Sequence, residues 1–167
     1  MSSQASAVEA APLTAGDYLA RVDRVAPVIL ENADRIEQER RLPPELLSAL
    51  HEESLFRLLL PRPFRGEEVT PPIFFQVMAA LSALDASTAW CICQGNGCAM
   101  TAAYVDPAVA QEIWGDDPHG VLAWGPGKSE IVTDDKGFHV NGKWSFASGS
   151  RHATWLGGHS LLKQEDG

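Results

Sequence analysis

Basic residues are scarce in this chain of 167 residues: 13 lysines and arginines stand against 22 aspartates and glutamates, a net charge of −9. No local Lys/Arg cluster offsets that balance, which disfavours nucleic-acid backbones and anionic membrane surfaces and leaves small molecules or proteins as partners. Cysteine is scarce as well. The 3 cysteines cannot all pair with one another, two of them (Cys91 and Cys93) lie in an apolar run, and no secretory signal precedes them; the pattern reads as a reducing cytoplasm. The N-terminus lacks both a basic start and a long apolar stretch, so it reads as neither signal peptide nor membrane anchor, and residues 1–14, rich in Ala and Ser, read as a disordered tail. What is present is ordinary for a globular protein: 45% hydrophobic and 8% aromatic residues, enough to bury one sizeable core.

The first half has helical periodicity. Val22, Val25, Ile29, Ala33 and Ile36 recur at three- and four-residue spacing, which predicts one amphipathic helix from about Ala15 to Arg40. Thr14 before Asp17 suits a capping start, and Pro27 marks a kink or a later true beginning. The charge run Arg35 to Arg41 reads as a solvated face. Pro44-Glu45 opens a second helix, with Leu46, Leu47, Leu50 and Leu55 as its buried stripe. Pro71 to Leu84 and Ala86 to Tyr104 are almost wholly apolar, which predicts a buried central hairpin capped near Asp85. His51-Glu52-Glu53 fails as a zinc motif, because the second His would have to stand at Leu55.

After a short helix begun by Asp106-Pro107, the cluster Gly115-Asp116-Asp117-Pro118 reads as a boundary between a helical domain, 15–117, and an incomplete β-domain, 118–167. The periodicity then becomes two. Val121 and Ala123, then Ile131 and Thr133, then Phe138, Val140 and Trp144, then Trp155 onward read as short strands. Asp135-Lys136-Gly137 and Asn141-Gly142 suit left-handed turns. Gly125-Pro126-Gly127-Lys128-Ser129 resembles the end of a phosphate loop, but Leu122 stands where that motif needs Gly and a strand follows where it needs a helix. Ala147-Ser148-Gly149-Ser150 carries little bulk. It reads either as a bulge or barrel bend, or as backbone lying close to a flat ligand with the Ser148 hydroxyl in hydrogen-bonding reach.

The helical first part followed by GKWSFASG, with His152-Ala153 and Trp155 behind it, resembles the acyl-CoA dehydrogenase superfamily. W-S-F-A-S-G followed by H-A-x-W, together with DASTAW and the run RxLPxELLxALxExxLFRLLLPRPF, is more narrowly similar to its two-component (group D) flavin-dependent monooxygenase branch. The likeness runs from about Arg35 to the last residue. It implies an α+β fold in which a helical N-terminal domain precedes the start of a small antiparallel β-barrel domain, truncated here relative to the superfamily. It also implies a flavin cofactor (FAD, or reduced FMN or FAD), a partner flavin reductase, a cytoplasmic homo-oligomer (a homotetramer), and O2-dependent oxygenation of a small organic substrate. Ser148 matches the catalytic hydroxyl near flavin N5, and Phe146 the aromatic beside the ring. Trp124 and Ser129 fall in the loop that reaches the flavin, and Trp90, Cys98 and Ala123 at the substrate cavity.

The chain departs from the pattern at several points. Arg65-Gly66 replaces paired glycines. Cys98 stands where phenol-hydroxylating relatives have His, and Ala123 where they have Ser, which argues against ortho-hydroxylation of a phenol. Set against the superfamily, the chain is expected to be a fragment of a longer protein or a truncated gene product that stops before the C-terminal bundle. Other readings remain beside this one: an acyl-CoA dehydrogenase, a non-catalytic helical module that binds a protein, Ser148 and His152 as nucleophile and base without a third orienting group, and the cysteines as either thiol chemistry or small apolar fillers.

Overall fold

A computed structural model describes residues 13–161. Of the disordered-tail reading of residues 1–14, residues 1–12 lie outside the described residues, and Thr14 instead belongs to the start of the first helix. Thr14 does cap α1 (Ala15–Glu31): its backbone N–H donates to Asp17 Oδ2 at 2.7 Å while its Oγ1 accepts from the Asp17 N–H at 3.4 Å. This reciprocal pair satisfies two donors at the helix start. Pro27 sits within α1 without ending it. The expected single helix to Arg40 instead breaks at Asn32, a buried residue whose Nδ2 donates to the Val28 carbonyl at 2.9 Å, and α2 (Ala33–Glu39) follows. An amide side chain that takes over a terminal carbonyl supplies what the next helical turn would have supplied. Arg40 then closes α2 in the left-handed conformation, at φ 52°.

The helix α3 (Pro44–Glu52) begins at its prolines as expected. Leu46, Leu50 and Leu55 are fully buried, whereas Leu47 is only half-buried. The next helices are α4 (Pro71–Leu84), α5 (Ala86–Ala99) and α6 (Pro107–Ala110), the last running on into a wider turn through Gly115. Asp85 caps α5, accepting the Thr88 N–H at 2.6 Å. The main core joins Val22, Val25 and Ile29 of α1 to Leu46 and Leu50 of α3, Val77 and Leu81 of α4, and Ile92 of α5. α4 departs from expectation, because only Val77 and Leu81 are buried and Phe75 is 74% exposed. An all-apolar helix needs cover on every side, and the described residues cover one side of α4.

Two polar side chains stitch this half together. Asn96, fully buried, donates to the Leu55 and Ile92 carbonyls at 2.8 and 3.0 Å and accepts the Leu59 N–H at 3.0 Å. Arg57, also buried, donates to the carbonyls of Trp114 (2.8 Å), Pro118 (3.0 Å) and Arg65 (3.2 Å). A cation hidden from water needs such a ring of acceptors. At Arg65-Gly66 the structure accounts for the glycine that remains: a Cβ on Gly66 would lie 1.7 Å from the Leu60 carbonyl oxygen, so only glycine fits there, while Arg65 takes the left-handed conformation at φ 63°,.

Four strands follow: β1 (Leu122–Gly125), β2 (Gly127–Asp134), β3 (Gly137–Trp144) and β4 (Trp155–Gly158). β2 and β3 form an antiparallel hairpin turning at Asp135-Lys136, with Gly137 at φ +127°. Asn141-Gly142 is not a turn but mid-strand, opposite Glu130 and Ser129. β1 pairs with β4 in parallel, Leu122 opposite Trp155 and Gly125 opposite Gly158. The antiparallel barrel therefore gives way, among the described residues, to two separate two-stranded sheets. The whole hairpin and the turn after it lie between β1 and β4, a connection long enough for the crossover that parallel pairing requires.

Candidate functional site

The segment Ser145 to His152 is positioned by backbone bonds. Ser145 N–H donates to the Pro126 carbonyl at 2.9 Å, which lays the segment beside the β1–β2 turn. A Cβ on Gly125 would meet the Ser145 carbonyl at 2.0 Å, so the two backbones are in direct contact. Phe146 takes the left-handed conformation at φ 57°, unusual for an aromatic residue, and Ser148 N–H donates back to the Phe146 carbonyl at 2.8 Å. Strained backbone of this kind persists where its surroundings hold it. Its result is that the Phe146 ring is 87% exposed, so a structural role in the core is excluded for it.

Across from this segment, α5 presents Trp90. Its Nε1–H donates to Ser148 Oγ at 2.9 Å. Trp90, Trp124, Pro126, Phe146 and Ser148 line an open recess of about 460 Å³, with Gln94 and His159 at its edge. Trp90 is 56% and Trp124 41% exposed, large rings that a folded chain ordinarily hides. Four of the residues singled out from sequence thus meet in one place: Trp90, Trp124, Phe146 and Ser148. Ser129 stands apart, on β2 opposite Gly142. Cys98 and Ala123 are buried at 2% and 3% exposure, and the recess lining does not include them. Gln94 was legible in principle, four residues after Trp90 on one helix face; His159 carried no signal.

The neighbouring electrostatics remove two alternatives. Both ring nitrogens of His152 lack a hydrogen-bond partner, while Ser148 is engaged by Trp90, so no Ser–His nucleophile pair is formed. Burial pushes the Cys91 and Cys98 thiols up, which makes them poor thiolates and suits the reading as apolar fillers. Beneath the segment runs a row of rings. His119 lies 4.6 Å from His51, His51 5.0 Å from Phe56, and Phe56 6.1 Å from His152. Burial first, then the charge of His119, pulls His51 down to about 4, and burial lowers His152 as well.

No family model matches the sequence. Over 143 residues the chain is 33% identical to the oxygenase subunit HsaA, a flavin-dependent monooxygenase of Mycobacterium tuberculosis, covering 84% of this chain and 36% of that protein. It is 32% identical over 124 residues to indole-3-acetate monooxygenase of Pseudomonas putida, covering 72% of this chain and 31% of that protein. The crystal structure of the M. tuberculosis HsaA monooxygenase superposes with a TM-score of 0.79 at 31% identity, over 89% of this chain and 42% of that one. The chain belongs to the flavin-dependent monooxygenase branch of the acyl-CoA dehydrogenase-like fold. XiaF from a Streptomyces species, solved in complex with FADH2 and glycerol, superposes with a TM-score of 0.81 at 25% identity, over 88% of this chain and 38% of that one. The chain spans about a third of the length of the curated relatives it matches. Among the described residues no helix is long and apolar enough to cross a membrane.

Proposed function

We propose that the recess at Ser148 receives the ring system of a flavin, and that the whole protein is a flavin-dependent monooxygenase acting on a small organic substrate. The observation that carries this reading is the meeting of three exposed aromatic residues (Trp90, Trp124 and Phe146) around one hydroxyl, which is held in place by the Trp90 indole. The lining fits the group. Exposed aromatic faces and a Pro wall suit a planar heterocycle, and Ser148 Oγ, accepting from Trp90, still has its own O–H to donate to a ring nitrogen or carbonyl. The reduced flavin, when bound, supplies the electrons with which O2 is activated.

The chain's own residues orient that ring. Trp90 holds Ser148, which would hydrogen-bond the ring and is the residue proposed for the reaction, Phe146 and Trp124 would offer it their exposed faces, and Gly125 lets the Ser145 backbone approach. Trp90, 56% exposed, also offers a face to an organic substrate. Ser129 belongs to the flavin-contacting set only if the β2–β3 hairpin bends toward the recess. Cys98 and Ala123 are buried and outside the recess lining, so their place at a substrate cavity rests on the family resemblance alone; on that resemblance, Cys and Ala in place of the His and Ser of phenol-hydroxylating relatives argue against a substrate activated through a phenol oxygen.

The finer parts of the proposal rest on the family resemblance read from the sequence. The oxygenase takes reduced FAD or FMN from a separate flavin reductase, assembles as a homotetramer, and works in the cytoplasm. Its division is a helical domain of residues 15–117 followed by a β-domain that starts at 118. Titration of the 167-residue chain with oxidised and reduced flavin, followed by flavin and tryptophan fluorescence, tests the reading. Saturable quenching of flavin emission that is lost in Phe146→Ala and weakened in Ser148→Ala supports it. A chain that leaves flavin emission unchanged in both redox states, while a longer version also fails to bind, would return the molecule to a protein-binding module.

A further inference from the structure

On the other side of Ser148 lies a second cleft that the flavin reading does not use. Its volume is about 430 Å³, and its walls include Arg40, Arg41 and Arg151 together with the apolar Ile36, Leu42 and Cys91. Three arginines around one cleft are unexpected in a chain of net charge −9. Nearby carboxylates explain only part of their presence. Glu39 is paired with Arg41 at 3.0 Å and with Arg35 at 3.3 Å, and Arg35 also pairs with Glu45. Arg40 makes no ion pair among the described residues, and Arg151 donates to the Glu39 backbone carbonyl at 3.1 Å rather than to a carboxylate. Glu37 is the sole carboxylate in the wall.

The left-handed turn at Arg40 sets it beside Arg41 at the point where α2 ends. The Arg151–Glu39 bond, across 112 residues of sequence, brings the third arginine to the same rim. His152, whose two ring nitrogens lack partners, lines the same cleft. Guanidinium groups suit carboxylate and phosphate oxygens, and a cleft of a few hundred Å³ with apolar walls holds more than a bare ion.

We infer that this cleft binds a small organic anion, with its carboxylate or phosphate group at Arg40 and Arg151 and its apolar body against Leu42 and Cys91. The inference does not depend on the flavin reading, since a chain that binds no flavin would still hold the anion.

The test is titration of the 167-residue chain at constant ionic strength with phenylacetate, phenyl phosphate and inorganic phosphate, with chloride as the reference. The side-chain Nε–H signals of the arginines are followed by NMR and assigned by single Arg→Gln variants. The expected result is saturable movement of the Arg40 and Arg151 signals with the organic anions, with Arg62 unmoved as the control outside the cleft. Arg40→Gln is expected to weaken binding on the order of tenfold, the loss of one charged hydrogen bond, at an unchanged melting temperature. Tighter binding of phenyl phosphate than phenylacetate assigns the site to phosphate esters; the reverse assigns it to carboxylates. Arg151→Gln also removes a backbone bond, so a lower melting temperature there leaves the Arg40 readout standing. Shifts that do not saturate, equal shifts with chloride, inorganic phosphate binding as tightly as phenyl phosphate, or an unchanged affinity in Arg40→Gln would each overturn the inference.

Discussion

The helical half and the strand half of this molecule are built on different terms. The helices bury a continuous set of side chains from Tyr18 to Ile92, many at 0% exposure. Beyond Gly125, through Leu161, no described residue is fully buried, although both His152 ring nitrogens are hidden from water. The strand half is held by backbone pairing within its two sheets and by a few stitches to the helices. Trp90 donates to Ser148 at 2.9 Å, Arg57 to the Pro118 carbonyl at 3.0 Å, and Arg151 to the Glu39 carbonyl at 3.1 Å. Both clefts lie on this seam. A rigid helical wall thus faces a segment whose conformation is set by a handful of polar contacts, which is where binding sites concentrate.

If that contrast is right, core truncation should separate the two halves most sharply. Leu50→Ala on α3 is expected to lower stability by about 3 kcal/mol, the usual cost of a cavity in a packed core, while Val140→Ala on β3 should stay within about 0.5 kcal/mol. Urea melts of the two variants side by side measure the difference, and equal losses would mean that the strands share the core after all.

The second way to break the comparison is at the junction. Arg57→Met keeps the bulk but strands the carbonyls of Arg65, Trp114 and Pro118, and is expected to cost about 2–3 kcal/mol. Cooperative unfolding should be retained at a lower midpoint, checked by circular dichroism and tryptophan fluorescence together.

Acidification should weaken the helical half through His51. Its folded value, about 4, lies below the ordinary 6.5, so the unfolded chain binds the extra proton. The stability that neutral His51 contributes is therefore complete above pH 6.5 and is lost as pH falls from there toward 4,. The loss should reach about 2–3 kcal/mol at the acid end. His51→Phe should flatten that slope in denaturant melts run across the range. An unchanged slope would mean that the ring row opens to water before it protonates.

Smaller effects on the fold are expected at the recess. Ser148→Ala should move stability by less than about 1 kcal/mol and reduce flavin affinity by roughly tenfold, since it removes one hydrogen bond to the ligand and frees the Trp90 indole. The Trp90 emission maximum is the direct check on that freed bond. Phe146→Ala should be the least disruptive to the fold, within about 0.5 kcal/mol, because the ring is 87% exposed,. A Phe ring packed in a core would instead cost about 3 kcal/mol on removal; a melt of this one variant distinguishes the two.

How far the chain could be read in advance follows the range of the interactions involved. Capping by Thr14 and Asp85, the start of α3 at Pro44, the buried leucines of α3 and the hairpin of β2 and β3 rest on contacts within a few residues, and local pattern predicts them. The motif around Phe146 and Ser148 was legible as a motif. What it faces was not, because Trp90 stands 58 residues away from Ser148 in sequence.

The misreadings have one kind of cause. Asn32 ends α1 through a side-chain bond that competes with the next turn, which periodicity does not register. Asn141-Gly142 has turn chemistry but is held mid-strand by the register of Glu130 and Ser129 opposite. β4 pairs in parallel with β1 because the chain crosses back over the hairpin, a matter of path and not of strand propensity.

By itself, then, the sequence determined which segments are helical, where they begin, that a strand-rich region follows, and which short motif ties the chain to its family, since each of these depends on periodicity, capping or residue type. Only the tertiary structure decided that Phe146 faces outward, that Trp90 and not His152 holds Ser148, that Cys98 and Ala123 are buried, and that Arg40, Arg41 and Arg151 gather around one cleft. Those outcomes require distant segments to be brought together, and the free energy that does so comes from burial of the helical core, which no local pattern records.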